Sequence, residues 1–122
     1  MRHFGQLAPD AMDTLFLRPP EDFTDLGDRE LLAAALGATL YLPANRGKLS
    51  STVVRQAAKG VCSMVLDLED AVGDDEVEQA LANAITALDE LAAFPAAEVL
   101  LFVRVRDAET IGTIAGSVGD GV

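Results

Sequence analysis

Cys62-Ser63-Met64-Val65-Leu66-Asp67-Leu68-Glu69-Asp70-Ala71-Val72 is the stretch on which the reading of this chain turns. Cys62 to Leu68 is a near-continuous apolar run, the pattern of a strand buried on both faces of a parallel sheet. Its end carries three carboxylates, Asp67, Glu69 and Asp70. Side chains alternate along a strand, so Asp67 and Glu69 are expected on one face and Leu68 and Asp70 on the other.

Working outward, the same unit repeats on both sides. Thr39 to Leu42 is a short β-prone run closed by Pro43, and Leu49 to Lys59 follows with helical spacing. Leu49, Val53 and Ala57 fall on one side of that helix, and Gly60 stops it. After the central strand, Asp74 or Asp75 is expected to cap a helix whose apolar stripe is Val77, Leu81, Ala84, Ile85, Leu88 and Leu91, with Pro95 as its end. Glu98 to Val105 reads as a further buried strand, and Asp107 caps a weaker helix carrying Ile111, Ile114 and Val118. The leading residues 1–36 read as an arm broken by Pro9, Pro19 and Pro20, ending in a short helix capped by Asp28 and stopped by Gly37. Gly116, Gly119 and Gly121 read as a loop that leads onward.

Residues 37–122 thus alternate β-α-β-α-β-α, which implies parallel strands with right-handed crossovers. An open doubly wound sheet and a closed (β/α)8 barrel both accommodate three such units. A whole barrel needs roughly 250 residues. The barrel reading therefore takes these 122 residues as about three βα units of an incomplete barrel, inactive by themselves.

Three strand ends carry candidate chemistry, since ligands bind at the carboxyl ends of strands in barrels and open α/β sheets alike. At the central strand, Asp67, Glu69 and Asp70 suit a hard cation such as Mg2+, directly or through its waters; Glu69 and Asp70 equally suit the start of a solvated loop. At the third, Val103-Arg104-Val105-Arg106 places two guanidinium groups on one face. They suit bidentate capture of a substrate carboxylate, or a buried ion pair with Asp67 or Glu69. At the first, Leu42-Pro43-Ala44-Asn45-Arg46-Gly47-Lys48 puts two cations at a helix N-terminus, a place for a phosphate or an ordinary βα turn. It lacks the glycine spacing and ending of a P-loop.

The net charge of −11 argues against a nucleic-acid partner. The one cysteine, Cys62, lies in an apolar run and suits a reducing compartment. The one histidine, His3, stands too near the N-terminus for triad or zinc chemistry to be expected. No apolar stretch has bilayer length and the first residues lack a signal-peptide core, so a cytoplasmic location away from membranes is expected.

Together the three strand ends resemble the HpcH/HpaI aldolase–citrate lyase beta-subunit family, which includes malyl-CoA lyases. Its pattern of V-P-G-N-R, then L-D-L-E-D-A-V, then V-R-V-N is matched by Leu42 to Arg46, Leu66 to Val72, and Val103 to Arg106, over about Ala38 to Val105. Met1 to Gly5 and Gly37 to Tyr41 resemble an actinobacterial branch of that family. The resemblance implies a TIM barrel of the phosphoenolpyruvate/pyruvate-binding type and a Mg2+- (or Mn2+-) dependent carbon–carbon lyase or aldolase. The substrate implied is a small 2-oxo or 3-hydroxy acid, in some members a coenzyme A thioester. By position, Arg104 would hold substrate, and Glu69 and Asp70 would order metal-bound water, with direct metal ligands on later strands. Asn45, Arg46 and Lys48 would lie near coenzyme A phosphates, and a homo-oligomer is implied. Gly37, Ala44 and Arg106 depart from the family's arginine, glycine and asparagine, which suits an alternative: a non-catalytic binding or accessory protein with the same fold.

Overall fold

A computed structural model describes residues 1–93 and 98–118. Three strands form one parallel sheet in the order β1 (Leu40–Pro43), β2 (Ser63–Asp67) and β3 (Leu100–Arg104). The register pairs Tyr41 with Val65 and Val65 with Phe102, and at the carboxyl ends Pro43 with Asp67 and Asp67 with Arg104. Among the described residues, strands and helices alternate as β-α-β-α-β-α from Leu40 to Ser117.

Alternation along β2 separates two faces. Met64, Leu66 and the following Leu68 turn toward helices α3 (Leu49–Ala57) and α4 (Val77–Ala93), packing with Leu42, Ala44, Leu49, Val53, Val72, Ala80, Ala84, Ala87 and Leu88. The buried positions of α4 are Ala80, Ala84, Ala87 and Leu88, so alanines Ala80 and Ala87 join the expected stripe. Their small side chains let the helix lie close to the sheet. The other face carries Tyr41, Val65, Asp67, Phe102 and Arg104, and there Tyr41 and Phe102 are about half exposed.

Several boundaries differ from the expectations. β3 is shorter than Glu98 to Val105 and is only partly buried. It has one neighbouring strand among the described residues, so one edge and much of one face meet solvent. Neither Asp74 nor Asp75 caps α4 with its side chain. Gly73 leads instead into a 3-10 turn, Asp74–Glu76, that runs directly into the helix. Gly116 is helical, inside α5 (Ala108–Ser117), whose cap is Asp107, accepting from the Thr110 amide at 2.8 Å. Pro95, Gly119 and Gly121 lie outside the described residues.

The arm has more structure than its prolines suggested. Pro9 begins a helix, α1 (Pro9–Leu15), because the first helical position needs no amide hydrogen. Asp28 caps α2 (Arg29–Ala35) through the Leu31 amide at 2.9 Å. Gly37 follows with φ +59°, and a side chain there would run into the His3 ring. The arm folds under the amino ends of the strands, where Phe23, Ala35 and Cys62 form a second small core. The carboxyl ends are left open. Among the described residues, no helix is long and apolar enough to cross a membrane.

Leu66 is fully buried at the centre of the main core. Leu66→Ala is expected to cost about 2–5 kcal/mol by leaving a cavity between sheet and helices. Urea unfolding followed by circular dichroism reads this, and a loss well under 1 kcal/mol would contradict the packing described.

Candidate functional site

The carboxyl ends of β2 and β3 bring Asp67 and Arg104 side by side, because the register pairs these two positions on the same face. Arg104 Nε donates to Asp67 Oδ1 at 2.8 Å and Nη2 donates to Asp67 Oδ2 at 2.7 Å, a bidentate pair. Asp67 has a side chain only 2 % exposed, whereas that of Arg104 is 32 % exposed. A buried carboxylate needs its partners, and Asp67 has three, since its Oδ1 also accepts the Glu69 amide at 3.0 Å.

Beyond Asp67 the chain leaves the strand, and the alternation argument stops applying. Asp70, expected on the opposite face, turns back so that its Oδ2 accepts from Arg104 Nη1 at 3.0 Å. Glu69 Oε2 lies 3.3 Å from Arg104 Nε. The turn that follows Asp67 therefore gathers all three acidic side chains around one guanidinium. Arg104 also stands over the Tyr41 ring, 5.2 Å from its centroid. Tyr41 is a site residue that sequence reasoning missed. Its signal is the strand register, which places it across β2 on the face of Asp67 and Arg104.

The electrostatics follow from these contacts. The Arg104 hydrogen bonds hold the Asp67 carboxyl below its ordinary pKa, against the opposing effect of burial, with the Glu69 amide adding to the lowering. Asp67 in turn raises the pKa of Arg104, with smaller contributions from Asp70 and Glu69. A guanidinium has five N–H groups. Among the described residues, Arg104 uses one on each nitrogen, which leaves one N–H on Nη1 and one on Nη2. Three carboxylates surround one cation, so the cluster keeps an excess of negative charge.

Arg106 does not join Arg104. It lies past the end of β3, and its guanidinium contacts the turn after β2 from the backbone side: Nε donates to the Leu68 carbonyl at 3.0 Å, and Nη2 to the carbonyls of Glu69 and Val72. Nη1 pairs with Asp74. The turn from Asn45 to Lys48 is also held by protein groups. Asn45 Nδ2 donates to Glu76 Oε2 at 2.9 Å, and the side-chain Nδ2 of Asn83 donates to the Ala44 carbonyl at 2.9 Å. Arg46 and Lys48 are exposed at the start of α3, and Lys48 adopts a left-handed conformation with φ +61°. Each of these groups lies on the carboxyl side of its strand. Cys62 is buried near the opposite ends, where burial raises its pKa.

Among the described residues, no three His, Cys, Asp or Glu side chains are arranged to hold a metal ion directly. Asp67 is already engaged by Arg104 on both oxygens. Glu69 and Asp70 are the exposed members, with side chains 44 % and 78 % exposed. They suit an ion held through its own waters rather than a full inner sphere, consistent with the way Mg2+ keeps several waters.

Parallel βα units with charged groups at the carboxyl ends of their strands are an organisation shared by barrels and open α/β sheets. A family described as the C–C bond lyases of the TIM-barrel fold matches residues 30–122, and the chain belongs to it. The three described strands are consistent with part of such a barrel, and membership carries a general lyase function. No curated protein and no solved structure matches the chain.

The Asp67 shift gives a pH prediction. A depressed folded-state pKa adds stability that is present above the unfolded value of about 4 and is lost as pH falls through the folded value. Asp67→Asn is therefore expected to destabilise the fold at pH 7, with the gap from wild type closing below about pH 4. Urea midpoints measured across pH 2–7 check this, and a gap independent of pH would contradict it.

Proposed function

We propose that the strand-end cluster is the substrate-binding part of a Mg2+-dependent carbon–carbon lyase or aldolase of the HpcH/HpaI–citrate lyase beta type, acting on a small 2-oxo or 3-hydroxy acid. The observation that carries this reading is Arg104. It is fixed by Asp67, braced by Tyr41, and has one N–H left on each terminal nitrogen. N–H groups on a rigid fork suit the two oxygens of a carboxylate, or the carboxylate and carbonyl oxygens of a 2-oxo acid.

The roles of the chain's residues follow from that placement. Arg104 binds and orients the acid end of the substrate, and Asp67 keeps the fork from rotating. Glu69 and Asp70 accept hydrogen bonds from the waters of a hydrated divalent cation, and their negative charge draws it to the strand ends. Mg2+, when bound, supplies a Lewis acid for the negative charge that develops on a carbonyl oxygen as the adjacent carbon–carbon bond breaks. The Tyr41 ring shields one side of Arg104 from water, which strengthens the guanidinium's grip on an anion.

The test is calorimetric titration of the native protein with MgCl2, with and without pyruvate as a simple 2-oxo acid. Each ligand is expected to tighten the binding of the other. Arg104→Lys is expected to weaken pyruvate binding roughly 10- to 100-fold while the far-ultraviolet circular dichroism stays that of wild type, because a point charge cannot reproduce the fork. Independent binding of the two ligands, or binding of neither, would count against an enzyme and for the accessory-protein reading.

A further inference from the structure

Arg106 is a cation placed next to a candidate anion site, yet its donors point into the protein. Its side chain is 30 % exposed. Nε donates to Leu68, both N–H groups of Nη2 go to Glu69 and Val72, and Nη1 pairs with Asp74. All three carbonyls belong to one irregular turn between β2 and the 3-10 turn. Backbone carbonyls in such a turn lack ladder partners and need donors from elsewhere. Few local bonds hold this turn otherwise. Val72 donates its amide to the Glu69 carbonyl at 3.1 Å, and Asp67 accepts the Glu69 amide. The two residues enclosed between the Leu68 and Val72 carbonyls and bearing carboxylates are Glu69 and Asp70, the pair that faces Arg104.

We propose that Arg106 is a positioning residue. It sets the directions of the Glu69 and Asp70 carboxylates by clamping the backbone of their turn, and it touches neither substrate nor cation. The inference rests on the reading of the Arg104 cluster under Proposed function. Two arginines at one strand end thereby divide the turn between them: Arg104 gathers its side chains and Arg106 its carbonyls. A planar fork spans three carbonyls at once, whereas the single ammonium of a lysine does not. The ion pair with exposed Asp74 is a minor part of the clamp, since such pairs contribute little.

The experiment compares Arg106→Lys and Asp74→Asn with wild type by two readouts on the native protein. The first is amide hydrogen exchange. Arg106→Lys is expected to speed exchange at Glu69 to Val72 by about tenfold or more while the β2 amides keep their protection. The second is Mg2+ binding in the presence of pyruvate, expected to weaken roughly 10- to 100-fold in Arg106→Lys, the range for losing a group that orients a metal site. Asp74→Asn is expected to stay within about twofold of wild type in both. Unchanged exchange in Arg106→Lys overturns the proposal, as does faster exchange with unaltered binding, or an Asp74→Asn effect as large as that of Arg106→Lys. Should Arg106→Lys not fold, 15N spectra of the wild-type arginine side chains decide. Slow exchange of the Arg106 Nε–H relative to exposed Arg18 supports the clamp, and equal exchange overturns it. A wild-type protein that binds neither MgCl2 nor pyruvate overturns the site reading itself, while the exchange data still settle whether Arg106 holds the turn.

Discussion

The pairing of Asp67 with Arg104 is the constraint on which the carboxyl end of this sheet depends. Asp67 is among the few polar side chains buried with the core residues, and leaving such a carboxylate unpaired would be costly. The parallel register of β2 and β3 answers this by setting Arg104 opposite Asp67. A slip of one residue would turn Arg104 to the helix-covered face and leave the acid without its partner. The same carboxylate accepts the Glu69 amide, so the bond that fixes the register also starts the turn that carries the remaining acids.

From that anchor the turn is built between two guanidinium groups. Arg104 holds Asp67, lies beside Glu69 and Asp70, and keeps two N–H groups free of protein partners among the described residues. Arg106 is nearly used up by backbone carbonyls. Arg104 faces the side chains of the turn, and Arg106 stands behind its backbone. The amino ends of the strands have a different character. There the arm is tied to itself by His3 on the Ala35 carbonyl and the terminal amine of Met1 on the Phe23 carbonyl, and it packs Phe23 and Ala35 against Cys62. The arm packs at the amino ends and the charged groups gather at the carboxyl ends, the polarity expected of the TIM-barrel fold.

Most of the fold was legible because buried parallel strands and amphipathic helices write strong periodic patterns. The apolar run into Asp67 and the stripe from Val77 to Leu91 each locate their element. Helix α1 was not legible, because Pro9 reads as a breaker unless its place at the first helical position is known. The site was half legible. Residue types at the strand ends identified Asp67, Glu69, Asp70 and Arg104, and an ion pair between Asp67 and one of the arginines was among the expected arrangements. The alternation rule then misplaced Asp70 and grouped Arg106 with Arg104, because both lie where the chain has already left its strand. Tyr41 was invisible for a different reason: its neighbour on the face is 63 residues away in sequence and is brought to it only by the register.

A strand end that binds a 2-oxo acid and stabilises charge on its carbonyl oxygen, as proposed, would loosen the protons on the adjacent carbon. The most direct measurement is exchange of the pyruvate methyl protons for deuterium in D2O, followed by proton NMR with the native protein. Exchange above the buffer rate is expected, requiring Mg2+, stopping on chelation, and falling to background in Arg104→Lys. Exchange no faster than buffer, or equally fast with and without Arg104, would contradict the proposal.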